Sequence, residues 1–135
     1  MIRQAAIAAL IGAGLGGLAT PSLATEWVNC ASPDGGASFD FLAGAVDVLA
    51  VVGMTISVGD QVWASDVAYG PGEPVAVGQA FENEQMLLID AVDPGVTTKV
   101  AELRLFKATE GDAPVYAGTL RIPGHGAWAV SCSGP

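Results

Sequence analysis

Glycine and proline punctuate this chain at short intervals from residue 33 onward, and that spacing leaves strands and tight turns as its natural elements. The clusters are Pro33-Asp34-Gly35-Gly36, Gly44, Gly53, Gly59-Asp60, Gly70-Pro71-Gly72-Glu73-Pro74, Pro94-Gly95, Glu110-Gly111-Asp112 and Pro123-Gly124-His125-Gly126. Turn signals roughly 8 to 12 residues apart belong to an all-β meander or sandwich. Between them apolar side chains alternate. Phe39 and Phe41 share a face, as do Met54, Ile56 and Val58, and the same pattern runs through Trp63, Ser65, Val67 and Tyr69. Ala101, Leu103 and Leu105 repeat it, and so do Trp128, Val130 and Cys132. Period-two patterning predicts strands with one side on a core and one in water.

Two segments depart from simple alternation. Phe41 to Val52 is rich in valine beside Gly44 and Gly53 and reads as a strand or a bulged pair of strands. Glu84 to Ala91 is almost unbroken in its apolar centre, which predicts a central strand or one covered on both faces. Thr97 to Lys107 reads as the longest strand. The expected fold is all-β, a single small antiparallel barrel or sandwich of about eight strands.

The first residues give a destination. Arg3 precedes an uncharged apolar run from Ala5 to Ala19, and Ser22-Leu23-Ala24 places small residues where signal peptidase reads them. This is the layout of a cleavable, helical secretory signal peptide over residues 1–24, followed by one β-domain over residues 25–135. A transmembrane anchor fits less well, because four glycines interrupt the run and no charges flank its distal end. Residues 25–135 suit one domain, burying about two-thirds of the surface the unfolded chain exposes. The expected location is periplasmic or secreted, with no membrane association after the signal is removed.

Cys30 and Cys132 are the two cysteines of the chain and stand near the two ends of that domain. In an oxidising compartment an even count invites pairing, and closing so long a loop stabilises by up to ~4 to 5 kcal/mol on the chain-entropy estimate. Catalytic or metal thiols would want a Cys-x-x-Cys spacing or histidine neighbours, which are lacking. A Cys30–Cys132 disulfide would tie the first strand to the last, as closure of a small barrel requires.

Charge narrows the partners. Beyond residue 24 four basic residues, Lys99, Arg104, Lys107 and Arg121, face fourteen acidic ones, so the net charge is near −10. Such a surface repels phosphate backbones and anionic headgroups, which excludes nucleic acid, and favours a cationic or envelope protein. No cofactor or metal is implied. Gly70-Pro71-Gly72-Glu73-Pro74 lacks the free amides and lysine of a phosphate cradle, Asp34-Gly35 and Asp93-Pro94-Gly95 read as turns, and no serine has the Gly-x-Ser-x-Gly context of a hydrolase. His125, the single histidine, reads first as the tip of a hairpin turn between Thr119–Ile122 and Ala127–Val130. With no nucleophile, base and orienting group to name together, no catalytic residue is assigned and the chain is not expected to be an enzyme. Tyr69, Glu73 and His125 are the candidate partner-contact residues, since each stands on a rigid, glycine-rich loop. Trp27, Trp63 and Trp128 are expected in the core or packed at a barrel end.

Trp27-Val28-Asn29-Cys30 at one end and Gly126-Ala127-Trp128-Ala129-Val130 before the closing cysteine, around a β-rich middle, resemble the layout of the periplasmic lysozyme inhibitors, small disulfide-tied barrels. The family's Ser-Gly-x-x-Tyr loop has no counterpart, because Ala64-Ser65-Asp66-Val67-Ala68-Tyr69 lacks the glycine, so no functional residue carries over. The leading expectation is an exported non-enzymatic β-domain that binds another envelope or secreted macromolecule or is structural. Its alternatives are an inhibitor of a cationic secreted enzyme such as lysozyme and a small-ligand binder with its site inside the barrel.

Overall fold

Ten strands and tight turns account for most of the chain in the computed structural model, which describes residues 14, 16, 17, 25–44 and 48–134. The expected signal peptide at 1–24 lies outside the described residues apart from Gly14, Gly16 and Gly17. The strands are β1 (Glu26–Ala31), β2 (Ala37–Gly44), β3 (Ala50–Val58), β4 (Gln61–Ala64), β5 (Glu73–Pro74), β6 (Ala76–Glu82), β7 (Met86–Val92), β8 (Lys99–Glu110), β9 (Ala113–Ile122) and β10 (Gly126–Ser133). The expectation of about eight falls short because β5 is only two residues long and β6, mostly exposed, shows no apolar alternation.

All ten join one sheet in the order β5-β4-β3-β2-β1-β10-β9-β8-β7-β6, curled into a nearly closed barrel rather than a two-layer sandwich. Every neighbouring pair is antiparallel except the short parallel contact of β4 with β5. The gap in the wall lies between β5 and β6, which follow one another in the chain with buried Val75 between them. The first and last strands, β1 and β10, therefore lie side by side inside the sheet rather than at its edges.

That joint is short. Only Asn29–Ser133, Cys30–Cys132 and Ala31–Ser131 pair across it, and the disulfide joins the middle pair with α-carbons 4.0 Å apart. The bridge suits a non-reducing compartment. Within the barrel Phe39, Met54, Ile56, Ile89 and Leu103 are wholly buried, each stabilising the fold by about 1.5–3 kcal/mol relative to exposure. All but Ile89 are inward positions of the alternating pattern, and Ile89 belongs to the unbroken apolar run of β7. A register shift at Leu42/Ala43 gives the bulge expected before Val52, and β8 is indeed the longest strand.

Outward positions carry charge at mid-wall. Asp90, Glu102 and Arg104 project from β7 and β8, and Asp40 from β2, reversing the apolar-out rule of a transmembrane barrel. No described helix is long and apolar enough to cross a membrane.

The alternation expected through Trp63, Ser65, Val67 and Tyr69 stops at Ala64. Asp66 takes an extended conformation and its carboxylate accepts a hydrogen bond from the Ala68 amide at 2.9 Å, capping a single 3-10 turn over Val67–Tyr69. A local carboxylate–amide bond of this kind competes with strand pairing, and it leaves Val67 94% exposed.

Candidate functional site

The excursion between β4 and β5 shapes the part of the surface that stands furthest from a bare barrel. Its feet are adjacent, with the Val75 amide donating to the Ala64 carbonyl at 3.2 Å, so Ser65–Gly72 forms a compact loop of the Ω type. Ser65 anchors it twice to Met54 of β3, donating its amide to the carbonyl at 3.0 Å and accepting the Met54 amide on Oγ at 2.9 Å. Thr55 Oγ1 then donates to the Tyr69 carbonyl at 2.8 Å. Between the limbs lies an open groove of about 710 Å3, bordered by Asp66, Val67, Gly70, Pro71 and Gly72.

Tyr69 folds back over the outer face of β3. A Cβ on Gly53 would come within 2.5 Å of its ring, so the bare glycine is what seats it. Trp27 of β1 meets Tyr69 at a centroid distance of 5.6 Å and an interplanar angle of 74°. Register places these groups in one row, since Trp27 pairs with Leu42 and Leu42 with Gly53. In the next row Asn29 pairs with Asp40 and Asp40 with Thr55. Asp40 is half-buried, and burial pushes its carboxyl above the usual carboxylate range, partly offset by a hydrogen bond from the Cys30 amide.

The cations lie across the barrel. Arg104 Nη2 is 2.8 Å from Asp90 Oδ1, a close ion contact without aligned hydrogen-bond geometry, and Lys99 reaches the same carboxylate at 3.4 Å. Lys99 and Arg121 hold Glu102 at 2.8 and 3.1 Å. Their hydrogen bonds, Lys99 first, keep the Glu102 carboxyl below its ordinary range. Lys107 stands 3.5 Å from Glu82 and donates to the Asn83 carbonyl at 3.0 Å, its ammonium 5.7 Å from the Tyr116 ring centre. Every lysine and arginine beyond residue 24 is thus engaged by a carboxylate on β6, β7 or β8. The sequence holds no lysine, arginine or histidine from residue 25 to residue 98, so the wall of β1–β5 carries acids alone.

The three candidate contact residues do not converge. Tyr69 joins Trp27 on the outer wall, and Glu73 opens β5 with its backbone beside Trp63. His125 occupies the β9–β10 turn as the sequence indicates, its amide bonded to the Ile122 carbonyl at 2.9 Å and its neighbour Gly124 at φ 83°. Its ring packs edge-on against Trp63, 5.4 Å between centroids. Trp63 is buried and Trp128 half-buried, as expected of barrel packing, whereas Trp27 is 38% exposed. Asp34 and Asp93 are turn residues, their carboxyls lowered mainly by backbone amides of Gly36 and Thr98. Sequence reasoning missed Trp27 and Asp40. One clue was legible: Gly53 falls at an outward position between Val51 and Thr55, where a glycine inside a strand marks a close approach.

The barrel centre is filled by side chains. A hollow of about 170 Å3 opens at one end, between Val28, Phe41, Glu82, Leu87 and Tyr116. No family model, curated protein or solved structure matches this chain.

Proposed function

We propose that this chain is an exported, non-enzymatic binding module, periplasmic or secreted, that docks a cationic protein on the outer wall of β1–β3 and the Ser65–Gly72 loop. The observation that carries the reading is the partition of charge. Four cations are spent on ion pairs at β6–β9, while the opposite wall offers uncompensated carboxylates beside exposed Trp27 and Val67 and half-buried Tyr69. Acidic surface speeds the encounter with a basic partner, and aromatic and aliphatic groups at its centre supply desolvated contact. The cross-strand disulfide supports a location outside the reducing cytoplasm.

Immobilised protein challenged with lysozyme and with envelope extract tests this. Basic proteins should be retained and released as salt rises from roughly 0.02 to 0.3 M, because screening removes the attraction between exposed charges. Recovery of no partner, or of acidic partners insensitive to salt, would overturn the proposal.

Inhibition of a cationic enzyme is a second reading, favoured by the loop itself. Val67 projects from its tip beside the Asp66 carboxylate, a shape suited to entering a cleft. A turbidity assay separates it from simple docking: lysis slowed by excess protein supports inhibition, and unchanged lysis removes it. A site inside the barrel draws less support, since the interior is packed and the end hollow is smaller than the ~300 Å3 of an ordinary ligand pocket.

A further inference from the structure

Within the acidic wall, one spot combines the groups that recognise a single positive charge. Trp27 and Tyr69 stand nearly at right angles, a T-shaped pair that leaves π-surface uncovered where parallel stacking would hide it. Asp40 lies one row away on the same face, and its cross-strand neighbour Thr55 is the residue that ties down the Tyr69 carbonyl. Diagonal neighbours on a sheet are ~7–8 Å apart, within reach of one lysine or arginine head. Asp40 is half-buried, takes part in no described ion pair, and has no basic residue within the surrounding strands. A half-buried carboxylate beside exposed Trp27 and the uncovered part of the Tyr69 ring is complementary to a cation that brings its own positive charge to both.

We propose that Asp40, Trp27 and Tyr69 form a seat for one lysine or arginine side chain of a protein partner, a site that rests on the docking function above. The carboxylate takes the charge, the two rings take the face of the head group and the aliphatic stem, and Gly53 holds the seat open by admitting the Tyr69 ring.

Two arms test it. In the first, Nα-acetyl-lysine amide is titrated into the wild-type protein and followed at the Trp27 indole and Tyr69 ring by NMR, with Nα-acetyl-norleucine amide as the uncharged control. Shifts at both rings with lysine and not with norleucine are expected; no shifts, or equal shifts with both, overturn the seat. In the second arm, lysozyme is bound to wild type and to Asp40→Asn, and the substitution should weaken binding on the order of tenfold. Lysozyme binding both proteins equally, with no response to the lysine probe, sinks the seat and leaves the acidic wall standing. A saturable lysine response with no basic protein retained has the reverse meaning, supporting the seat and overturning the docking function.

Discussion

Removing the disulfide should cost this barrel much of its stability, and the size of the loss can be worked from the topology. The bridge closes a loop of 102 residues, for which the chain-entropy estimate is about 4.7 kcal/mol. Domains of this size commonly have ~5–15 kcal/mol in total, so a third or more is at stake. The loss falls on the weakest joint, because β1 and β10 pair over only three residues and the bridge occupies the middle one. The variant Cys30→Ala/Cys132→Ala suits the test, since Cys30 is wholly buried and serine would strand a hydroxyl there. At roughly 4 °C per kcal/mol, Tm by circular dichroism should fall by about 15–20 °C. Wild-type protein reduced and refolded without oxidant should match it, which separates the bond from the loss of the sulfur atoms. A fall of less than about 5 °C in both samples, with the denaturant m-value unchanged, would refute the claim that this bridge secures the short β1–β10 joint.

Three further outcomes are expected. Val96 sits at φ 56°, a left-handed conformation that costs a β-branched residue ~1–2 kcal/mol, so Val96→Asn should raise Tm by about 3–5 °C; a fall would contradict the strain argument. Gly53→Val should push the Tyr69 ring off β3 and cost about 1–3 kcal/mol, read as a lower Tm and faster proteolysis within Ser65–Gly72; wild-type protease resistance would show that the seat is not what anchors the loop. Lys99 and Arg121 depress the Glu102 carboxyl, so its contribution is complete above its ordinary value of 4.5 and fades as pH drops through the lowered folded value. Glu102→Gln should therefore flatten the acid side of the Tm–pH profile, by a small amount because both partners are largely exposed; identical slopes in variant and wild type would exclude that role.

The inward face of the barrel was legible because it depends on neighbours two residues apart. Phe39 and Phe41, Met54 and Ile56, and Leu103 and Leu105 declare their side of a strand without reference to the rest of the chain. The disulfide was legible for a related reason, there being only one intramolecular pairing to consider. Strand count and closure were harder: β5 is two residues long, and the seam between β5 and β6 follows from how sheet curvature brings the two edge strands near one another. The loop was seen from Gly70-Pro71-Gly72, and with it Tyr69 and Glu73. Its helical turn was not, since the bond from the Ala68 amide to Asp66 overrides an alternation that runs unbroken in the sequence. Trp27 and Asp40 were invisible as partners of Tyr69 because they lie 42 and 29 positions away and meet it only through the register of β1, β2 and β3.

Mapping where a basic protein touches this barrel would probe the division of charge most directly. Backbone amide shifts should be recorded as lysozyme is added at low ionic strength. Perturbations gathered on Trp27, Asp40, Thr55 and the segment from Ser65 to Gly72, and fading as salt is added, are the expected result. Shifts centred instead on Glu102, Arg104 and Arg121, or spread evenly around the wall, would contradict it.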